Sequence, residues 1–109
     1  MQEQEVARKL ELCVGSFKKV LYEPDDIFLK NMEKNNLAGD DISKYQLWEW
    51  TQGVGLYGLY NYYELTGDRG TFDFLCGWYD ARMAEGLPER NVNTTCPMLT
   101  LLCVYEDTQ

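Results

Sequence analysis

The pattern Tyr-Glu-x-Thr occurs twice in this chain, at Tyr63-Glu64-Leu65-Thr66 and again at Tyr105-Glu106-Asp107-Thr108. With an offset of 42 residues, Leu56, Leu59, Tyr60 and Tyr63 align with Met98, Leu101, Leu102 and Tyr105. Spacings of three and four place each set on one stripe of a helix, so each Tyr-Glu-x-Thr closes an apolar helix. A period of about 40 residues with two helices per unit describes stacked helical hairpins, in solenoids or in closed toroids. The shared apolar register makes this weak repeat favour an all-helical chain.

The same periodicity runs through the rest of the chain. Val6, Leu10, Cys13, Val14, Phe17, Val20 and Leu21 predict a first helix that Pro24 ends. Residues 23–44 read as a connecting segment in which Ile27, Phe28 and Met32 form a short helix, followed by turn chemistry at Asn35-Asn36 and Gly39-Asp40-Asp41. A helix over about 47–66 stops at Thr66-Gly67-Asp68, where glycine takes a left-handed cap. Another spans about 70–85 with Phe72, Leu75, Cys76, Tyr79 and Met83 on one stripe, before Gly86 and Pro88. A last one starts near Asn93, for which Asn93 is the expected N-cap. Short connections at Thr66-Gly67-Asp68 and over 86–92 make these last three helices antiparallel neighbours. No stretch alternates at period two for long enough to be a strand. The expectation is an all-α chain, residues 1–109 forming a single partial domain.

Charge and residue usage remove several function classes. Ten basic against eighteen acidic residues give a net charge of −8, which repels nucleic-acid backbones and anionic membranes. Residues 45–109 carry twelve of the fifteen aromatics and only three basic residues, so core and charge imbalance both lie there. With no histidine, His-based triads and His-ligated zinc are out. Cys13, Cys76, Cys96 and Cys103 form no Cys-x-x-Cys pair. No metal and no cofactor are expected. Met1-Gln2-Glu3-Gln4-Glu5 is no export signal, which makes a reducing cytoplasm the expected compartment and buried thiols the expected state.

Three stretches carry chemistry. Gly53-x-Gly55-x-x-Gly58 matches the dinucleotide fingerprint, but no buried strand precedes it and the helical period continues through it. Its glycines instead let a neighbouring helix approach. Trp48-Glu49-Trp50-Thr51-Gln52-Gly53 sets two tryptophans around a carboxylate, either as a platform for the C–H face of a sugar or as core filling. Asn91-Val92-Asn93-Thr94-Thr95 adds amides and hydroxyls that fit a helix cap or an aromatic-lined ligand pocket. The remaining carboxylates occupy helix ends and polar faces, and none declares itself as half of a catalytic pair.

Taken in order, the segments 48–59, Thr66-Gly67-Asp68 and 85–99 (Glu-Gly-Leu-Pro-Glu-Arg-Asn-Val-Asn-Thr-Thr-Cys-Pro-Met-Leu) resemble glycoside hydrolase family 105. These are the unsaturated rhamnogalacturonyl hydrolases, related to the family 88 unsaturated glucuronyl hydrolases. The resemblance covers residues 45–109 and extends only loosely to the first helix. It implies an (α/α)6 toroid, of which six hairpins at this offset need about 250 residues, so that 109 residues are about one third, from the N-terminal part. It implies attack on a 4,5-unsaturated uronic acid at the non-reducing end of pectin-derived oligosaccharides. An Asp protonates the enol-ether double bond, water adds, and the hemiketal opens with loss of the glycosidic bond.

By motif position the resemblance places Trp50 and Asn93 in the sugar pocket, and the chemistry of their two segments adds Trp48, Thr94 and Gln52 to the expected substrate-binding set. Relatives carry Asp or Asn where Asn93 stands, and an amide only hydrogen-bonds. The family's principal Asp has no counterpart here and is expected beyond Gln109, leaving no catalytic residue in this chain and no activity of its own. The expected partner is an unsaturated-uronide oligosaccharide, with neither nucleic acid nor membrane. Two other readings stand beside this one: a non-catalytic helical-repeat module that binds carbohydrate or protein, and a small bundle whose tryptophans are only core. A partial toroid also leaves helix faces uncovered. Met98, Leu99, Leu101, Leu102 and Tyr105, with the glycine face of the 47–66 helix, are the expected surfaces for self-association.

Overall fold

A computed structural model describes residues 2–22, 26–35, 48–87 and 90–109, in two compact units that divide between Gln46 and Leu47. Among the described residues there are five helices and no strand: α1 (Glu3–Tyr22), α2 (Asp26–Lys34), α3 (Trp50–Thr66), α4 (Arg69–Glu85) and α5 (Val92–Thr108). Pro24, Asn36, the Gly39-Asp40-Asp41 turn, Leu47 and Pro88 lie outside the described residues, as do the side chains of Phe28 and Met32.

In the first unit, α1 places Glu3 and Glu5 in its first turn and Lys19 in its last, each complementing the helix dipole. Lys9 reaches Glu5 one turn earlier at 3.1 Å. Of the apolar stripe, Leu21 is buried, Val14 and Phe17 are half-buried, and Val6, Leu10 and Val20 stay exposed. The α2 helix falls within the segment read as a connection, at the position where Ile27 starts the short apolar pattern.

The second unit holds the larger core. Gly67 caps α3 at φ 70°, and its N–H donates to the Tyr63 carbonyl at 2.7 Å. A side chain there is strained, which is why glycine marks the turn. Thr66 Oγ1 accepts from the Asp68 N–H, and Asp68 Oδ2 accepts from Thr71 Oγ1 at 2.7 Å, so the three-residue turn satisfies its own polar groups. The α3 helix begins at Trp50, leaving Trp48 and Glu49 in the bend before it. At α5 the N-cap is Asn91 rather than Asn93. Asn91 Oδ1 accepts from the Thr94 N–H at 3.0 Å, while Thr94 Oγ1 accepts from the Asn91 N–H at 3.0 Å. This reciprocal pair needs a hydroxyl three residues on, which Asn91 has in Thr94 and Asn93 lacks.

The pairing of ends fixes helix directions. The start of α3 meets the start of α5, with Gly53 against Cys96 and Pro97, and their ends meet where Tyr60 Oη donates to Asp107 Oδ2 at 2.7 Å. Thus α3 and α5 run parallel, as repeat-related helices should. Between them in sequence, α4 runs antiparallel to both: its first turn brings Phe72 to Tyr63 (centroids 4.7 Å apart), and near its end Tyr79 Oη donates to the Pro97 carbonyl at 2.7 Å. Leu56, Leu59, Phe72, Leu75, Trp78, Tyr79 and Val104 fill the space among the three. Trp78 joins the predicted α4 stripe, whereas Met83 is exposed and Cys76 half-buried, because the stripe turns away from the core at its end.

One glycine of the fingerprint explains the close helix pair. A Cβ at Gly53 would sit 2.6 Å from Cys96 Sγ, 2.7 Å from Pro97 N and 2.8 Å from Cys96 C, and backbone atoms do not yield. A Cβ at Gly58 meets nothing within 4 Å among the described residues. Replacing glycine by alanine in a helix gains about 1 kcal/mol of propensity. Gly58→Ala is therefore expected to stabilise the chain by up to about 1 kcal/mol, whereas Gly53→Ala loses about 2 kcal/mol or more because overpacking exceeds that gain. Urea unfolding of both variants checks it, and equal effects would refute the close contact.

Candidate functional site

Parallel packing brings the start of α3 and the start of α5 to one end of the second unit. Trp48, in the bend before α3, is 5% exposed, and its Nε1 donates to the Thr94 carbonyl at 2.6 Å. Its ring stacks on Trp78 (5.9 Å between centroids, 20° between planes) and meets the edge of Tyr79 at 5.6 Å. Through Tyr79 the same cluster reaches the Pro97 carbonyl. Pro97 lies inside α5, and the Thr94 and Pro97 carbonyls each accept a side-chain bond. Burial pushes the Tyr79 phenol well above the ordinary tyrosine range, so it stays a neutral donor.

Around this clamp the five candidate residues separate. Trp48 and Thr94 are buried and joined to each other; Thr94 also completes the cap of α5. Gln52 is 4% exposed and its Oε1 accepts from Thr51 Oγ1 at 3.1 Å. Trp50, by contrast, is 50% exposed at the first position of α3, and Asn93 is exposed in the first turn of α5. Two tryptophans two residues apart thus differ in surroundings: one fills the core, the other presents an indole at the surface. Two helix N-termini point their partial positive charge toward this same end, in a chain of net charge −8.

An open cleft of about 670 Å³ lies at the opposite end, lined by Tyr63, Glu64, Gly67, Arg69 and Asp107. Sequence reasoning placed nothing there. Beside it, Tyr60 Oη lies 2.7 Å from Asp107 Oδ2 and 3.1 Å from Glu64 Oε1, one phenolic proton between two carboxylates. The bond to Asp107, then burial, then the bond to Glu64 raise this phenol above the tyrosine range. The Tyr-Glu-x-Thr repeat held the clue, since Glu64 is in one copy and Asp107 in the other. Burial also raises the Cys76 and Cys103 thiols, while Cys13 is exposed. All four cysteines are free. No helix among the described residues is long and apolar enough to cross a membrane.

The second unit is thus a set of helical hairpins that gathers the tryptophan and amide segments at one end of a parallel helix pair. The profile of Glycosyl Hydrolase Family 88 matches residues 25–109, and the chain belongs to that family. It is 33% identical over 61 residues to unsaturated rhamnogalacturonyl hydrolase YesR of Bacillus subtilis (strain 168), a match covering 56% of this chain and 18% of the relative. It also superposes, with a TM-score of 0.68 and 37% identity, on a crystal structure of a possible member of the GH105 family from Salmonella enterica subsp. enterica serovar Paratyphi A str. ATCC 9150. That match covers 91% of this chain and 26% of the other. The chain thus spans less than a third of either, and its hairpins are part of the family's α/α toroid.

Two outcomes test this partition of roles. Trp48→Phe deletes the donor to Thr94 and is expected to cost about 2 kcal/mol of stability, while Trp50→Ala stays within about 0.5 kcal/mol. Thermal unfolding of the pair checks it. For Tyr60 the folded-state pKa is raised, so its stabilisation is complete below the unfolded tyrosine value of about 10 and is lost as pH rises through the folded one. Tyr60→Phe should therefore cost about 1 kcal/mol at about pH 8, and the gap to wild type should close above about pH 10. A gap that persists unchanged at high pH would contradict the proton-sharing geometry.

Proposed function

We propose that this chain is part of a hydrolase that removes a 4,5-unsaturated uronic acid from the non-reducing end of pectin-derived oligosaccharides. The reading is carried by the exposed pair Trp50 and Asn93 at one end of two parallel helices clamped by Trp48 and Thr94. The Trp50 indole offers an apolar face to sugar C–H groups, and the Asn93 amide both donates to and accepts from hydroxyls. The positive ends of α3 and α5 favour the uronate carboxylate against the chain's overall negative charge. Trp48, Thr94 and Gln52 complete the sugar site from beneath, by holding the two exposed residues in place. The name of the Bacillus relative supports the substrate class.

The reaction needs an acid that protonates the enol-ether double bond before water adds and the hemiketal opens. Asn93 has no proton of that kind to give. In this reading the acid is an Asp outside these residues, and the chain alone binds without turnover. The four free thiols favour a reducing cytoplasm as its compartment.

Titration with an unsaturated uronic-acid disaccharide, followed by nitrogen-proton correlation spectra, separates binding from turnover. The Trp50 indole and Asn93 amide signals are expected to shift while the ultraviolet absorbance of the sugar's double bond stays constant. Unmoved signals at both residues overturn the sugar site, and loss of absorbance with pure chain overturns the placement of the acid.

A further inference from the structure

We propose that the uncapped start of α3 seats the carboxylate of the uronic acid, with the Gln52 amide as its side-chain donor. This inference rests on the unsaturated-uronide reading above and assigns the acid group of that sugar to one helix. Glu49, at the N-cap of α3, makes no side-chain bond to the first-turn N–H groups, and no acidic residue occupies that turn. The first backbone bond at this end runs from the Gly53 N–H to the Glu49 carbonyl at 3.0 Å. Among the described residues the N–H groups of Trp50, Thr51 and Gln52 find no acceptor. The start of α5 differs, because Asn91 Oδ1 already takes the Thr94 N–H. Orphan N–H groups at the positive end of a helix dipole form a ready anion site.

Gln52 is a second and independent sign of a ligand. It is 4% exposed, and its Oε1 accepts from Thr51 Oγ1 at 3.1 Å. That bond holds the amide oxygen at Thr51 and leaves Nε2, with two protons to give, donating to no group among the described residues. A helical side chain leans toward the N-terminus of its own helix, so the Gln52 amide lies over the first turn, beside Thr51, where the orphan N–H groups are. A buried amide donor without an acceptor is costly, and a carboxylate oxygen removes that cost. Bonds from such donors to an ionised oxygen are roughly twice as strong as neutral ones. Glu49 is only half-buried, so solvent and salt screen its own charge. Trp50, 50% exposed at the first position of the same helix, offers its indole to the sugar ring. One turn of chain thus reads both the ring and its acid group.

The test compares the unsaturated uronic-acid disaccharide with its uronate methyl ester, in a buffer free of carboxylate and phosphate, by nitrogen-proton correlation spectra of the 109-residue chain. The acid should shift the backbone amides of Trp50, Thr51 and Gln52 and the Gln52 side-chain amide, and bind about tenfold more tightly than the ester. The ester should still shift the Trp50 indole and the Asn93 amide. In Gln52→Glu, which replaces the donor by a negative charge at nearly equal size, the acid-over-ester ratio should fall to about one or below. Gln52→Met removes the donor without adding charge, and repeats the test should the glutamate variant lose its helical circular dichroism. An ester that binds as tightly as the acid while shifting Trp50 and Asn93 overturns this inference and leaves the sugar site standing. A ratio that survives both Gln52 variants does the same. Unmoved signals with either sugar overturn the sugar site and this inference together.

Discussion

The close approach of α3 and α5 at Gly53 is the constraint on which the second unit rests. With Cys96 and Pro97 less than 3 Å from where a Cβ would be, no other residue permits that approach without a shift. The approach puts Trp48 within reach of the Thr94 carbonyl, and the indole then fills the corner between the helix starts while stacking on Trp78. A wider helix pair would leave that N–H buried without a partner, at a cost of about 1–3 kcal/mol. Gly53 and Trp48 thus depend on each other, one creating the geometry and the other sealing it.

Helix type and order were legible because apolar spacing of three and four is a backbone property, independent of what surrounds the helix. The left-handed Gly67 was legible for the same reason, since only the turn's own geometry asks for it. What surrounds a residue was less legible. Trp48 and Trp50 share a local sequence, yet the helix begins between them, and that boundary sends one indole into the core and the other outward. The choice of Asn91 over Asn93 depends on a reciprocal hydroxyl, a condition on a pair of residues that a list of good caps does not contain. The stripe of α1 reads as core by period, but Val6, Leu10 and Val20 are exposed, because a period names a face and not what covers it.

The candidate site shows the same division between what one segment dictates and what two segments make together. Gly53-x-Gly55-x-x-Gly58 lies within α3, and its shape as a motif carries no nucleotide meaning without a preceding strand. Trp50 and Asn93 reach one end of the unit because α3 and α5 are parallel, which follows from a helix hairpin placed between two repeat-related helices. Tyr60, Glu64 and Asp107 meet at the other end by the same logic. The sequence repeat is therefore the source of both ends: residues that open the two helices gather at one, residues that close them at the other.

A repeat that builds an interface within a chain also leaves its two halves unpaired at the outer edges. The inner side of α3 and the facing side of α5 satisfy each other, whereas their repeat counterparts, Leu102 on α5 and Val54 and Leu65 on α3, are exposed. Burial follows this asymmetry residue by residue: Leu56 and Tyr60 are buried where Met98 is half-buried and Leu102 exposed. Propensity and pattern are the same in both helices, so the difference lies wholly in the neighbour each has. At about 25 cal/mol per Å², covering even 200 Å² of apolar edge is worth roughly 5 kcal/mol, a large part of the stability of a domain. Repeat proteins use caps with polar outer faces to avoid that cost. Here Leu65, Leu99, Leu102 and Tyr105 are exposed apolar side chains on α3 and α5, unlike the polar outer face of such a cap.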